Sequence, residues 1–241
     1  MRDDPSWGEW ERTLASFYEK LNYSGGAAGF LMGAGHKALE NLVESDERFA
    51  VVLEVGVGTG EHLRHVRHGF DTYHMLDRSE AMLKLVRERY KNDARRLDYR
   101  LGVVEALPFP DASVDRLIAT HMLEHVYRPH EVLREWNRVL KPGGTMSVLI
   151  PTDPGLVWRL GRVVGTRRAV NRMGLPYDYF MALEHVNPVN NLVALLEYYF
   201  PDARTQWWPF RIASMDLNFF YLCHALTREA GTAAPELAAP S

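Results

Sequence analysis

Apolar positions along the chain form short continuous runs separated by polar turns, and this pattern predicts buried strands. The run from Phe49 to Val55 is typical of a strand covered on both faces of a sheet. Runs at Thr72–Leu76 and Val114–Thr120 predict two more strands. Towards the C-terminus, Thr205–Ile212 and Leu217–Leu226 predict a pair of strands that closes the sheet as a hairpin.

Apolar residues at helical spacing lie between these strands. Ser79 is a favourable N-cap for a helix that continues to about Tyr90. Further helices are predicted near Gly35–Glu44, after a flexible stretch at Ser24–Gly29, and at Val189–Tyr199. Strands that alternate with helices indicate an α/β domain. Helical spacing also marks the N-terminal region, at Trp7, Trp10, Leu14, Phe17, Tyr18 and Leu21.

The first strand runs into a glycine-rich turn and carries an acidic residue. Gly56, Gly58 and Gly60 let the backbone turn sharply and approach a ligand for which side chains would leave no room. Because Glu54 lies inside the apolar strand, its carboxylate needs a cationic or hydrogen-bonding partner. A strand, a glycine turn and a helix in this order are typical of a cofactor site.

The spacing of the glycines separates two classes of cofactor. A dinucleotide site uses Gly-x-Gly-x-x-Gly, with the pyrophosphate on the helix N-terminus. Here Glu61 occupies the third position after Gly58, and its negative charge disfavours a pyrophosphate at that point. A cofactor that has no phosphate and carries a sulfonium and an ammonium group tolerates this neighbour.

Further motifs follow in order. Asp77 ends the second strand, roughly 20 residues beyond the glycines, where a carboxylate accepts hydrogen bonds from ribose hydroxyls. After it come GVVEALPFPD at Gly102–Asp111, SVDRLIAT at Ser113–Thr120, LEHV at Leu123–Val126 and VLKPGG at Val139–Gly144. With Glu-x-Gly-x-Gly-x-Gly, this series resembles the class I S-adenosylmethionine (SAM)-dependent methyltransferases, in particular the methyltransferase type 11 group related to ubiquinone and menaquinone biosynthesis enzymes. The resemblance covers about residues 45 to 150.

The resemblance implies a fold and a cofactor. The fold is a Rossmann-like, seven-stranded, mostly parallel sheet with a C-terminal antiparallel hairpin, a helical N-terminal cap and an insert after the fifth strand. The cofactor is SAM, with S-adenosylhomocysteine as product and no metal. The implied cofactor contacts are Glu54, Gly56, Gly58, Gly60, Asp77, Arg78, Val104, Glu105, Thr120 and His121.

Val103 departs from the family pattern, which places an aspartate there to accept a hydrogen bond from the adenine amino group. That contact is therefore expected to be missing or supplied by Glu105. The backbone N–H of Val104 could still donate to an adenine ring nitrogen.

The chain is expected to divide into five segments around one domain. They are a helical N-terminal cap at 1–48, the SAM-binding half at 49–150, a substrate-side insert at 151–187, a C-terminal helix and hairpin at 188–228, and a disordered tail at 229–241.

Composition narrows the classes of function. A chain of 241 residues with 46% hydrophobic content suits one α/β domain with additions. A net charge of −3 disfavours nucleic acid as a partner. The lone Cys223 excludes a disulfide framework, and the apparent lack of a signal segment or membrane span favours the cytoplasm.

Histidines supply the candidate bases. His121 and His125 follow the fourth strand, whose carboxyl end faces the methyl donor, and His185 lies in the insert. Each could deprotonate an acceptor hydroxyl, although His125 could instead hold loop backbone. The order His-x-x-Glu-His also occurs in zinc proteases, but zinc requires a continuous helix there, so no metal is expected. For His62, His65 and His68, three apart on the helix predicted after the glycines, a solvated helix face is the expectation.

The insert is basic and amphipathic. Five arginines and no acidic residue lie between Leu156 and Tyr177. They could clamp an anionic substrate or form a solvated face, and contact with an anionic membrane surface is a less favoured alternative. A lid helix is predicted from an apolar face of Leu156, Leu160, Val163 and Val164. The expected substrate contacts are Tyr18, Tyr23, Arg167, Arg168, Tyr177, Tyr179 and His185.

These features predict an enzyme that transfers a methyl group to an oxygen or nitrogen of a small-molecule acceptor. Because the sulfonium makes the methyl carbon electrophilic, the protein mainly has to position the acceptor and exclude water. The alternatives are a non-catalytic SAM sensor, a methyltransferase acting on protein or RNA, and a nicotinamide oxidoreductase, which Glu61 and the closing hairpin disfavour. The acceptor and the oligomeric state stay open.

Overall fold

A computed structural model describes residues 26–164, 166–172, 174 and 176–227 of the protein. Seven strands form one sheet in the order β3-β2-β1-β4-β5-β7-β6. Strands β1 to β5 are parallel, and β7 runs antiparallel to both β5 and β6. The predicted α/β fold and its closing hairpin are therefore confirmed. The strands are β1 Arg48–Val55, β2 Gly69–Asp77, β3 Leu97–Leu101, β4 Val114–Thr120, β5 Leu140–Pro151, β6 Arg204–Trp208 and β7 Phe220–Leu226.

Helices cover both faces of the sheet. Their bounds are α1 Gly26–Glu40, α2 Glu80–Arg89, α3 Pro129–Val139, α4 Leu156–Val164, α5 Thr166–Arg172, α6 Tyr177–Glu184 and α7 Val189–Tyr199. The Ser79 hydroxyl accepts a hydrogen bond from the Met82 N–H, which confirms the predicted N-cap of α2. Short 3-10 turns lie at His62–Arg64 and Leu123–His125. Among the described helices, none combines the length and the apolar character that crossing a bilayer requires.

One predicted linker is helical. Helix α1 already begins at Gly26, so the prediction of a flexible stretch at Ser24–Gly29 is wrong from Gly26 onwards. The helix also ends at Glu40, earlier than the predicted Glu44. Tertiary packing outweighs the low helix propensity of glycine here, since Leu39 of α1 is fully buried against the sheet.

Alternating side chains of the central strand divide the core into two layers. Leu53 of β1 packs with Trp136 of α3 on one face of the sheet. Its neighbour Val52 packs on the other face with Leu39 of α1 and Leu83 of α2. All of these side chains are fully buried. The two layers hold the carboxyl ends of the parallel strands at one rim, where open α/β sheets place their ligands.

A buried ion pair fastens α1 to the sheet. Arg116 of β4 donates to both carboxylate oxygens of Glu40, from Nη2 at 2.6 Å and from Nη1 at 3.2 Å. Neither side chain is more than 1% exposed. Nη2 of Arg116 also donates to Ser147 Oγ of β5 at 3.1 Å. Since two buried charges need close partners, α1 is held in one position on the sheet.

Two predicted substrate contacts, Tyr18 and Tyr23, lie outside the described residues. The same is true of most of the N-terminal cap and of the C-terminal tail, so these remain expectations.

Candidate active site

The glycine turn has the backbone geometry that the sequence predicts. Gly56, Gly58 and Gly60 all have positive φ, at 66°, 52° and 75°. A Cβ at Gly56 would lie 2.6 Å from the Met122 Cγ, which excludes a side chain there, whereas no atom lies within 4 Å of a Cβ at Gly58. The turn is therefore closely packed at Gly56 and open at Gly58. A ligand that contacts the backbone of the turn could approach at Gly58.

Asp77 at the end of β2 holds this turn. Its Oδ2 accepts from the Gly58 N–H at 2.9 Å, and its Oδ1 accepts from the Ser79 N–H at 2.8 Å. Burial raises the pKa of Asp77, and these two N–H groups oppose that shift. Each carboxylate oxygen keeps a further lone pair, so both could still accept a ribose hydroxyl. Arg78 beside it is exposed.

The loop after β3 lies next to Asp77. The Gly102 N–H donates to the Asp77 carbonyl at 3.0 Å. Beyond it, Val104 is buried in the core, whereas Val103 and Glu105 are exposed. The buried Val104 side chain anchors this loop, and the adenine contact of Glu105 remains a prediction.

Glu54 has the partner that the sequence analysis required. Its Oε2 accepts from the Tyr73 hydroxyl of β2 at 2.7 Å, and the side chain is 1% exposed. Burial is the main influence and raises the pKa of Glu54. The carboxylate lines a cavity with Gly56, Gly58 and Thr120. The Glu54 carboxylate thus lies beside the glycine turn and faces the cavity next to it.

The histidines after the glycine turn are not a solvated helix face, so that prediction is wrong. The chain forms only the short turn at His62–Arg64, and His62 and His68 are 1% and 5% exposed. His62 Nε2 lies 3.0 Å from Glu40 Oε1, and the His65 ring stacks on His36 with centroids 5.5 Å apart. His62 and His65 thus point towards α1, whose buried Glu40 and His36 need polar partners.

His36 of α1 reaches the cofactor side of the turn, which the sequence analysis did not foresee. Its Nδ1 lies 3.1 Å from Nδ1 of His62, and its ring meets His121 edge-on at 5.7 Å between centroids. Burial, reinforced by the neighbouring imidazoles, holds the pKa of His36 well below its usual value. His36 is therefore uncharged at neutral pH. Among the described residues, no group of three or more His, Cys, Asp or Glu has the geometry of a metal site.

The donor set fits SAM, but the enclosed space is small. Glu54 and Asp77 offer acceptors for an ammonium group and for ribose hydroxyls, and the glycine turn leaves room for ligand atoms. Thr59 Oγ1 at the same cavity is buried without a hydrogen-bond partner in the described part of the chain. The cavity between these groups and His36 has a volume of about 30 Å³ and is partly open to the surface. A nucleoside cofactor needs several times that volume, so most of it would lie outside this cavity unless His36 or the turn moves.

A larger cavity of about 350 Å³ lies elsewhere, between α7 and the β6–β7 hairpin. Leu196, Phe200 and Tyr221 line it, and neither the glycine turn nor Asp77 contributes. We place the cofactor at the smaller cavity because only that one joins the glycine turn to carboxylates at strand ends.

The end of β4 brings unpaired polar groups together. Thr120 is 9% exposed, and His121 has a positive φ of 53°, which is unusual for a residue with a side chain. Glu124, missed in the sequence analysis, lies with Oε1 3.9 Å from His121 Nδ1. Burial raises the pKa of Glu124 to about 8 and lowers that of His121 to about 3. Nε2 of His121 and Oε2 of Glu124 are buried without hydrogen-bond partners among the described residues.

The insert adds His185 and Asp153 to this group. His185 Nδ1 lies 2.9 Å from Asp153 Oδ2, and the rings of His185 and His125 meet edge-on at 4.9 Å between centroids. His125 Nδ1 lies 3.0 Å from the Glu184 carbonyl. The geometry thus favours a backbone-holding role for His125. It also places the Asp153 carboxylate beside His185, although Nδ1 of His185 has no well-aligned hydrogen bond among the described residues.

Of the predicted substrate contacts in the insert, Tyr177 is buried and His185 is half-buried, whereas Arg168, Tyr179 and the Arg167 side chain are exposed. Arg162 Nη1 donates to Asp153 at 2.7 Å and its Nε donates to the buried Tyr177 hydroxyl at 3.1 Å. Arg167 forms an ion pair with Asp178 at 2.5 Å between exposed side chains. Arg168 and Tyr179 are exposed. As substrate contacts, Arg167, Arg168 and Tyr179 remain predictions.

Comparison with known proteins agrees with this site. Residues 53–148 match a family model described as a methyltransferase domain. The ubiquinone/menaquinone biosynthesis C-methyltransferase of Ruegeria sp. is 38% identical over 112 residues, which cover 42% of this chain and 44% of that protein. The malonyl-[acyl-carrier protein] O-methyltransferase of Erwinia pyrifoliae is 41% identical over 105 residues, which cover 44% of this chain and 38% of that protein. The chain thus spans less than half the length of these curated relatives.

Solved structures agree over a longer range. A SAM-dependent methyltransferase from Aquifex aeolicus superposes with a TM-score of 0.58 at 18% identity, covering 88% of this chain and 98% of that one. At this identity the likeness concerns the fold alone. The glycine turn, the strand order and the family match together identify residues 53–148 as a domain of the class I SAM-dependent methyltransferase family.

Proposed function

We propose that the protein is a SAM-dependent methyltransferase that acts on a small-molecule acceptor which loses a proton on methylation. The observation that carries the proposal is the arrangement at one rim of the sheet. The glycine turn and Asp77 form a nucleoside site there, and the unpartnered atoms of His121 and Glu124 adjoin it. Buried polar atoms without partners are costly, so they indicate a ligand that supplies the missing hydrogen bonds.

When bound, SAM supplies an electrophilic methyl carbon, and the rest of the work belongs to the side chains. Glu54 accepts from the Tyr73 hydroxyl and turns its remaining acceptor sites towards the cavity. Glu124, neutral at pH 7 because burial raises its pKa to about 8, can donate a hydrogen bond to an acceptor oxygen. Closure by α1 and the insert excludes water, which strengthens these contacts.

We assign the proton-accepting role to His185. Asp153 Oδ2 lies 2.9 Å from its Nδ1, without a well-aligned hydrogen bond among the described residues, and would stabilise the imidazolium formed when Nε2 takes a proton. The depressed pKa of His121, about 3, makes that residue a weak base. A hydroxyl oxygen, or a ring carbon made acidic by a neighbouring hydroxyl, loses a proton in this way. The names of the two curated relatives give carbon and oxygen respectively as the methylated atom, so relatives of this domain include both kinds of acceptor atom.

The test separates cofactor binding from transfer. Titration of the protein with S-adenosylhomocysteine in a calorimeter should show one site, and Asp77→Ala should weaken binding by about 1–3 kcal/mol through the lost ribose contacts. Asp71→Ala is the control, since Asp71 is an exposed carboxylate on the same strand. Unchanged affinity in Asp77→Ala would refute the cofactor site. Tight binding without transfer of labelled methyl to phenolic or enolic acceptors would favour a sensor.

A further inference from the structure

Helix α4 turns its apolar face away from the protein. Leu156, Leu160 and Val163 are 53%, 55% and 43% exposed. At about 100° per residue these three positions share one stripe. The opposite side faces the core, since the Trp158 ring packs against Phe220 with centroids 5.8 Å apart. An amphipathic helix on a globular core normally buries its apolar stripe, whereas the apolar stripe of α4 faces outwards.

A rigid loop beside α4 presents more apolar side chains. Phe210, Ile212 and Leu217, in the loop between β6 and β7, are 62%, 53% and 46% exposed. The buried Asn218 fixes this loop, because its side chain accepts from the Phe210 N–H at 2.9 Å and donates to the Ile212 carbonyl at 2.9 Å. The exposure is therefore built into an ordered turn.

The loop and the helix are adjacent. The first turn of α4 docks on Asp216, whose Oδ1 accepts from the Leu156 N–H at 3.0 Å and whose carbonyl accepts from the Val157 N–H at 3.2 Å. The stripe of α4 and the three loop residues thus form neighbouring parts of one exposed surface, which we call the apolar rim. A patch of six large apolar side chains marks an interaction surface.

The charges around the apolar rim select the partner. Arg162 and Arg167 are paired with Asp153 and Asp178. By contrast, no ion pair is found within the described part of the chain for four exposed arginines. Arg159 lies on α4, Arg211 lies between Phe210 and Ile212, and Arg168 and Arg172 lie on the following helix α5. Arginines beside an outward apolar stripe are complementary to a surface with an apolar interior and anionic head groups.

We propose that the apolar rim binds the surface of an anionic lipid bilayer. The stripe of α4 and the tips of Phe210 and Ile212 enter the head-group boundary, and the four arginines contact lipid phosphates. The protein then rests on the membrane without spanning it. This inference does not depend on the identity of the methyl acceptor.

Vesicle co-sedimentation of the full chain tests the proposal. Binding is expected to vesicles of phosphatidylcholine and phosphatidylglycerol in equal amounts, and to weaken with salt. Leu160→Asp should lower the partition coefficient about tenfold or more, and Arg159→Gln with Arg168→Gln should lower it roughly 25-fold, at about fivefold per arginine. Leu85→Asp is the matched control, because Leu85 is 45% exposed on α2, away from the rim.

Several results would overturn the proposal. These are no co-sedimentation, equal binding to vesicles of phosphatidylcholine alone, or equal losses in Leu160→Asp and Leu85→Asp. A lower melting temperature in Leu160→Asp without lipid binding would assign the stripe to residues 1–25 of the same chain. A concentration-dependent dimer that Leu160→Asp dissociates would assign it to a second copy.

Discussion

Removing the Glu40 carboxylate should destabilise the protein far more than removing a surface carboxylate. Arg116 is fully buried and donates to Glu40 at 2.6 and 3.2 Å. In the described part of the chain, Ser147 Oγ is its remaining hydrogen-bond partner. Glu40→Ala therefore leaves a buried cation without its counter-charge, which costs about 3–5 kcal/mol.

The free energy of unfolding in urea at pH 7 measures this cost. Glu80→Ala is the matched control, because it is the same substitution on a helix and removes an Arg87–Glu80 pair at 3.1 Å that is 45% and 46% exposed. Such an exposed pair contributes about 0–1 kcal/mol. The combined variant Glu40→Leu with Arg116→Met should recover much of the loss, since apolar residues replace a buried pair well. A loss in Glu40→Ala no larger than in Glu80→Ala would refute the reasoning.

The same pair sets a pH dependence. Burial raises the pKa of Glu40, but Arg116 and the bond from His62 outweigh it and hold that pKa well below its usual value. Because the folded-state pKa is depressed, this stabilisation is present above the unfolded value of about 4.5 and is lost as the pH falls below it. On acidification, the free energy of unfolding of Glu40→Ala should therefore decrease less than that of the wild type.

Three further predictions concern single groups at the site. Burial raises the pKa of Glu124 to about 8. The free energy of unfolding of the wild type should therefore fall by on the order of 5 kcal/mol as the pH rises from about 4.5 to 8. In urea unfolding, Glu124→Gln should not show this decrease. Tyr73→Phe removes the donor 2.7 Å from Glu54 Oε2 and should lower both stability, by about 1–3 kcal/mol, and S-adenosylhomocysteine affinity in calorimetry. Asp153→Asn should lower kcat about tenfold or more, change KM little and shift the pH–rate profile. An unchanged pH–rate profile would contradict the role of His185 as proton acceptor.

The cofactor half could be predicted from the sequence because its determinants are local. Gly56, Gly58 and Gly60 need positive φ whatever surrounds them, and Asp77 lies at a strand end fixed by the same short motif. Apolar runs also predict β1, β2, β4 and β7, and apolar spacing predicts α7. The predicted strand at Thr205–Ile212 is longer than β6, which ends at Trp208. The resemblance to known methyltransferases supplied the seven-stranded, mostly parallel sheet, which local pattern does not contain.

The histidine cluster could not be predicted because its partners are distant in sequence. His62 pairs with Glu40 and His36, which lie 22 and 26 residues earlier on α1. From spacing alone, His62 and His65 fit a solvated helix. One signal was nevertheless present: an arginine inside the apolar strand β4 needs a buried acid, by the same reasoning that correctly demanded a partner for Glu54.

Glu40 belongs to both the core and the site, so its substitution separates two roles of α1. Its Oε1 meets Arg116 in the sheet and lies 3.0 Å from His62, which lines the cofactor cavity beside His36. If the ion pair only anchors α1, then Glu40→Ala should unfold more easily yet keep its affinity for S-adenosylhomocysteine below the melting transition. If the pair also positions the histidines that close the cavity, that affinity should change as well. His36 and His62 both line the cavity beside the glycine turn, which favours the second outcome. If the cofactor displaces His62, the cost of that movement includes the contact of His62 Nε2 with Glu40 Oε1 at 3.0 Å.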